Sequence, residues 1–155
     1  MKVHAITNTS KGVLIGQIKG LTTVENCVID IDTIANNHGA GICTVIQGTL
    51  KVNNVLINID KATATYGVGF AGGREAATSN VIVSNCFFVS GDGQLTNVFA
   101  GDNEDKAALK ETTIGVDGQL AVAGEDYVVA SKLSDIQRDS LTTDLLKSGY
   151  DALIG

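Results

Sequence analysis

Three short stretches of the chain repeat the same alternation of apolar and polar residues. They are VENCVIDID at 24–32, VNNVLINID at 52–60 and VSNCFFVSG at 83–91. Alignment on Asn26, Asn54 and Asn85 gives steps of 28 residues (54 − 26) and 31 residues (85 − 54). A near-constant spacing of this size indicates a repeated structural unit.

A second motif, flanked by glycine, keeps nearly the same spacing. GVLIGQIKG at 12–20 matches AGICTVIQG at 40–48, and shorter forms follow as GFAGG at 69–73 and VFAG at 98–101. Each repeat therefore holds two strand-like pieces, one beside glycine and one beside asparagine. Two motifs with one period make a coincidence improbable.

Alternation places every second side chain after the asparagine on one face of a strand. The members of this face are Cys27, Ile29 and Ile31 in the first repeat, Val55, Ile57 and Ile59 in the second, and Cys86, Phe88 and Ser90 in the third. Equivalent side chains stack when the strands lie parallel, with one turn of the chain per repeat and about 4.8 Å between strands. The connecting stretches lack a helical pattern, which argues against a doubly wound α/β fold. We therefore predict an all-β fold, a single-stranded parallel β-helix of about three to four rungs over residues 1–130.

The three asparagines fit the turns between consecutive strands of the predicted coil. Asparagine tolerates the left-handed backbone conformation, and its amide can bond the asparagine of the next rung. We interpret Asn26, Asn54 and Asn85 as a structural turn ladder.

The opposite face of the repeats carries a column of acidic residues. Asp30 is predicted above Asn58, and Asp32 above Asp60. Stacked carboxylates could hold Ca²⁺ or form a glycosidase acid pair. The third repeat brings no base or electrophile to this column. We interpret it as a solvated acidic face, with a calcium site or catalysis as alternatives, and expect no cofactor.

Arg74 and Glu75 lie in the long turn of the third repeat and could face a ligand. Exposed pairs of this kind contribute under about 1 kcal/mol and are more often simple surface ion pairs.

An apolar column runs beside the acidic one, formed by Val28, Leu56 and Phe87. On an isolated coil these side chains would face water, so the column indicates that something covers it. The chain offers residues 131–155 as a cover, and a neighbouring subunit or domain is the alternative. We favour this tail, which could also cap the open end of the coil.

Helix signals in the tail predict two short helices. Ser134 followed by Gln137 resembles a capping box, and TTDLLKSG predicts a helix capped by Thr142 or Thr143 and ended at Gly149. Ahead of the tail the chain continues as strands, and VDGQ at 116–119 predicts a two-residue hairpin turn.

The charge and composition of the chain narrow the range of possible binding partners and locations. The net charge is −6 with only 11 Lys and Arg, so a nucleic-acid backbone is not expected as a partner. No apolar run has the length of a membrane span, and the first residues lack the apolar region of a signal peptide. We expect either a protein not exported by that route, or a piece of a longer secreted parent. Cys27, Cys43 and Cys86 are expected as free, buried thiols.

The stretch GVLIGQIKGLTTVENCVIDID resembles the GLUG-motif repeats of bacterial surface proteins. Those repeats are similar to the right-handed parallel β-helices of the pectate-lyase-like superfamily. The resemblance covers residues 12 to about 101 and implies a right-handed coil at the cell surface or outside the cell.

The expected function is a non-catalytic module that acts in adhesion, in carbohydrate or protein binding, or as a rigid spacer. Its oligomeric state is left open. A polysaccharide lyase or glycoside hydrolase is the first alternative, and a segment of a phage tail or adhesin is the second.

Overall fold

The computed structural model describes residues 2–6, 15–34, 42–62, 71–74, 80–90 and 113–155. Within these ranges the chain forms strands, two turns of 3-10 helix and a C-terminal α-helix. The strands are β1 (Lys2–Ile6), β2 (Ile15–Ile18), β3 (Leu21–Ile34), β4 (Cys43–Ile46), β5 (Thr49–Ala62), β6 (Ala71–Arg74), β7 (Asn80–Ser90), β8 (Thr113–Ile114) and β9 (Tyr127–Ala130), and the helix is α1 (Asp144–Ile154).

The strands form two sheets in which all the pairs of named strands are parallel. The main sheet has the order β1-β3-β5-β7, and both β8 and β9 pair with the far edge of β7. The second sheet has the order β2-β4-β6. Ile29 pairs with Ile57 and Ile57 with Phe88, which are the offsets of 28 and 31 read from the sequence. The predicted all-β class with parallel strands and a short C-terminal helix is confirmed.

Each long strand bends at its asparagine. Asn26, Asn54 and Asn85 have positive φ angles of 53°, 51° and 50°, the left-handed region that asparagine tolerates better than most residues. The bend changes the phase of the alternation, so that Val24 and Cys27, three residues apart, both face the main core. The core is therefore lined from both sides of the bend.

The main core is a stack of aliphatic side chains with one aromatic ring. Its largest fully buried members are Ile18, Ile29, Ile31, Ile34, Ile42, Leu50, Ile57, Ile59 and Phe88. Val52 and Val83 continue the column of Val24 in the strand segments before the asparagines. Because one strand cannot bury its own inner face, the equivalent side chains of neighbouring parallel strands cover one another.

The last layer of the main sheet replaces the asparagine bend with a hairpin. Gly118 has a φ of +80°, its N–H donates to the carbonyl oxygen of Gly115 (3.1 Å), and the Gly115 N–H donates to that of Gln119 (2.8 Å). This is a three-residue loop with glycine in the left-handed position, so the predicted two-residue turn was wrong. The hairpin then leads into β9.

The tail differs from its predicted pair of helices. Short 3-10 turns at Leu133–Asp135 and Arg138–Ser140 replace the first helix, and the residue before the first turn, Lys132, makes no side-chain cap. Ser134 lies within the first turn and does not precede a helix, so the predicted capping box of Ser134 and Gln137 was wrong. Thr143 caps α1 by accepting a hydrogen bond from Leu146 N–H (3.2 Å).

The helix α1 passes through Gly149 and continues to Ile154, so its predicted end was also wrong. Arg138 connects the second 3-10 turn to α1 by donating two hydrogen bonds of 2.7 Å to the carboxylate of Asp151. None of the helices in the described ranges is long and apolar enough to cross a membrane.

Candidate functional site

The apolar outer column is covered in the structure by the tail of the same chain. Val28, Leu56 and Phe87 lie in a second hydrophobic cluster, separate from the main core. The cluster also contains Val89, Ala130, Ile136, Leu141, Leu146 and Tyr150. Since Leu56 is fully buried, this column is part of the interior and does not form an open surface.

Two contacts hold the tail close to the sheet. A Cβ atom built on Gly149 would overlap Val28 Cγ2, so the helix backbone approaches the strand as only glycine permits. Thr142 donates a hydrogen bond to Asn54 Oδ1 (2.6 Å), and the Asn54 amide donates to Asn26 Oδ1 (3.2 Å). The tail is thus bonded to Asn54, which is in turn bonded to the equivalent asparagine of the neighbouring strand.

The acidic column is only partly open to solvent. Asp30 and Asn58 pair in register and are 7% and 9% exposed, whereas Asp60 is exposed and Asp32 is half-buried. The expectation of a solvated face was wrong at Asp30 and Asn58. Asn58 is buried because its neighbour in register, Val89, belongs to the hydrophobic cluster that the tail covers.

The side-chain amide of Asn58 connects Asp30 and Asp60 by hydrogen bonds. Its amide nitrogen donates to Asp30 Oδ1 (2.9 Å) and to Asp60 Oδ1 (3.1 Å). An amide donor therefore lies between the two carboxylates, at the place where a calcium ion would need oxygen ligands. Among the residues that the structure describes, no group of three or more His, Cys, Asp or Glu side chains could hold a metal ion.

The remaining predicted ligand residues are not brought to this column by the described part of the chain. Arg74 is the last residue of β6, and its backbone pairs with Ile46 of the second sheet. Glu75 lies outside the described residues.

The main sheet presents a second outward surface on the strand segments before the asparagines. We call it the polar face; it comprises Leu21, Thr23 and Glu25 of β3, Thr49, Lys51 and Asn53 of β5, and Asn80, Ile82 and Ser84 of β7. The three rows are in register, so Thr23 pairs with Lys51 and Lys51 with Ile82. Thr23, Glu25 and Lys51 are exposed.

Side chains of the polar face form hydrogen bonds between the neighbouring strands β5 and β7. Thr49 Oγ1 donates to Asn80 Oδ1 (2.7 Å), and Ser84 Oγ donates to Asn53 Oδ1 (2.8 Å). These bonds hold hydroxyl and amide groups in defined positions on the sheet, at the spacing of the strands. The surface is therefore an ordered array of hydrogen-bonding groups.

None of the residues predicted as a ligand site belongs to the polar face. Its signal was present in the residues before each asparagine, TTVEN, LKVNN and VIVSN, where alternation places the second and fourth residues on the face opposite to the third residue, which is a buried valine in all three. The phase shift at the asparagine bend separates this alternation from the one that follows it.

The thiols lie in low-polarity surroundings. Burial raises the pKa of Cys86 to about 12, although its Sγ donates to the Ser84 carbonyl oxygen (3.2 Å). Burial also raises the pKa of the half-buried Cys27. Because the thiolate is the nucleophile, neither thiol is activated for chemistry near neutral pH. Cys43 belongs to β4, where only the backbone is described.

No protein-family model, no curated protein and no solved structure matches this chain.

Proposed function

We propose that this chain is a right-handed parallel β-helix that serves as a non-catalytic surface module and binds carbohydrate on its polar face. Its resemblance to the GLUG-motif repeats supports a location at the cell surface or outside the cell. The single observation that carries the binding proposal is the cross-rung array of hydroxyl and amide groups.

The β-helix is supported by the way the strands alternate between sheets. Strands β2, β4 and β6 fall in one sheet, and β3, β5 and β7 fall in the other, with parallel pairing in both. Adjacent layers keep an offset of 28 residues in both sheets between the first two rungs. A chain that visits each sheet once per repeat and always advances in the same direction is a coil.

Carbohydrate binding is supported by the chemistry of the polar face. Sugar hydroxyls both donate and accept hydrogen bonds, as do the side chains of Thr23, Asn53 and Ser84. Lys51 and Glu25 add one charge of each sign.

A catalytic role for the acidic column is not favoured by its geometry. The Asp30 carboxylate is buried and accepts a hydrogen bond from Asn58, which places it inside a structural network. A general acid or base must instead reach the proton it transfers, directly or through one water.

The test is a glycan array probed with fluorescently labelled protein, followed by calorimetry with each oligosaccharide that binds. The paired variants Lys51→Glu and Lys132→Glu reverse the same charge on the polar face and on the exposed surface of the tail. We expect Lys51→Glu to abolish binding and Lys132→Glu to leave it unchanged. Silence on arrays of bacterial and host glycans, or equal losses in both variants, would overturn the proposal and leave the spacer role.

A further inference from the structure

Ile82 places an aliphatic side chain within the polar face. Its backbone pairs with Lys51 of β5 and with Ile114 of β8, and its side chain is half-buried. The neighbours on the same face of β7 are Asn80 and Ser84, each about 6.6 Å away along the strand. An apolar contact and hydrogen-bonding groups therefore lie within reach of one small substituent of a ligand.

The hydrogen bonds between β5 and β7 determine which polar groups remain free for a ligand. Thr49 Oγ1 donates to Asn80 Oδ1, and Ser84 Oγ donates to Asn53 Oδ1. Each bond engages the hydroxyl proton and an amide oxygen, so the amide NH₂ groups of Asn53 and Asn80 remain as donors. Neither NH₂ group has a hydrogen-bond partner within the part of the chain that the structure describes. The polar face therefore suits a ligand that supplies an acceptor.

The substituent that fits this arrangement combines a hydrogen-bond acceptor with a methyl group. A hydrogen bond of about 2.9 Å and an apolar contact of about 4 Å together cover the distance between Asn80 and Ile82. A sugar hydroxyl supplies the acceptor but leaves Ile82 without an apolar partner. A carboxylate also supplies it, but meets the exposed Glu25 and the net charge of −6. The acetamido group of an N-acetylated sugar has a carbonyl oxygen next to a methyl group and carries no charge.

We propose that the polar face selects sugars that carry an N-acetyl group, an inference that rests on the proposed carbohydrate binding. The acetamido methyl packs on Ile82, and the acetamido carbonyl oxygen accepts a hydrogen bond from the Asn80 amide. Lys51 and Asn53 then lie beside the sugar ring, where their N–H groups donate to its hydroxyls. Ile82 is thus the residue that distinguishes an N-acetylated sugar from its counterpart with a hydroxyl.

Calorimetry with two tetrasaccharides tests the selection. Cellotetraose and N-acetylchitotetraose have the same linkage and differ in carrying a hydroxyl or an acetamido group at C2. We expect N-acetylchitotetraose to bind at least about tenfold more tightly, the combined effect of one buried methyl group and one hydrogen bond. Equal affinities, tighter binding of cellotetraose, or no binding of either would overturn this inference. Carbohydrate binding itself would still stand in each case if other glycans bind on the array and Lys51→Glu abolishes their binding.

The variant Ile82→Thr tests the apolar contact. It keeps the β-branched shape that suits a strand and removes the apolar end of the side chain. We expect it to weaken the binding of N-acetylchitotetraose about three- to fivefold, the effect of one methyl contact. Ile154→Thr is the matched control, because Ile154 is 49% exposed on α1, outside the polar face, and its replacement should leave the affinity unchanged. Full affinity in Ile82→Thr, or an equal loss in both variants, would overturn the contact.

The variant Asn80→Asp tests the hydrogen bond and does not depend on the folding of Ile82→Thr. Aspartate keeps an acceptor for Thr49 Oγ1 and replaces the amide donor with a second acceptor. We expect at least a tenfold loss of affinity for N-acetylchitotetraose, about the effect of one lost hydrogen bond and one unpaired acceptor. Gln137→Glu makes the same chemical change on the exposed surface of the tail and should leave the affinity unchanged. Full affinity in Asn80→Asp would refute the assigned donor.

Discussion

The replacement Gly149→Ala tests whether the tail is docked on the sheet. It should lower the stability of the protein if the tail is docked and raise it if Gly149 faces water. A Cβ atom at this position would lie 3.1 Å from Val28 Cβ and still closer to one of the valine methyl groups. Valine is stiff about χ1, so its side chain cannot easily turn aside. Overpacking of this kind costs about 1–3 kcal/mol. In a helix whose Gly149 faced water, the same replacement would instead stabilise by about 1 kcal/mol.

With both effects present, we expect Gly149→Ala to lower the free energy of unfolding by up to about 2 kcal/mol. Urea denaturation followed by far-ultraviolet circular dichroism measures this change. Ser148→Ala is the matched control, since Ser148 is exposed on the same helix and its replacement should stabilise slightly. The double variant Val28→Ala with Gly149→Ala should be less destabilised than the sum of the two single variants. A Gly149→Ala protein more stable than the wild type would refute the docked tail.

Three further outcomes are expected. Gly48→Ala should destabilise the protein by about 1–3 kcal/mol, because the new Cβ would overlap the carbonyl group of Gly20. Gly20→Ala has open space around it and should change the stability by less than about 0.5 kcal/mol. Thermal unfolding compares the two variants, and equal effects would contradict the close approach. Asn58→Ala should cost about 1–3 kcal/mol by leaving the buried Asp30 carboxylate without this donor, and urea denaturation should show the double variant with Asp30→Ala to be less destabilised than the sum of the two single variants. Burial raises the pKa of Cys86 to about 12, so its thiol should stay unlabelled by iodoacetamide at pH 8 until urea is added. Peptide mass spectrometry measures the labelling. Rapid labelling of Cys86 in the native protein would contradict its burial.

The repeat pattern was sufficient to predict which residues stack on one another. Alternation and the asparagine spacing predicted the column of Ile29, Ile57 and Phe88, because side-chain direction in a strand depends only on local geometry. The burial of Asp30 and Asn58 could not be predicted in the same way. Whether an outward column is covered depends on long-range packing, which alternation within the strand does not report.

The roles of Gly149, Ser134 and Gln137 in the tail could not be predicted from the sequence for a related reason. Gly149 has the sequence signature of a helix end, yet in the structure it is the point where α1 passes closest to Val28. Ser134 and Gln137 have the spacing of a capping box, but the chain turns twice as 3-10 helix there. Each residue type serves more than one structural purpose, and only the packing partner decides between them.

Nuclear Overhauser effects between methyl groups and rings test the stacked arrangement most directly. In a sample with labelled isoleucine and phenylalanine, we expect strong contacts from the Ile29 methyls to those of Ile57, and from the Ile57 methyls to the ring of Phe88. Missing contacts between these three side chains, or Hα–Hα contacts typical of antiparallel strands across β3 and β5, would contradict it.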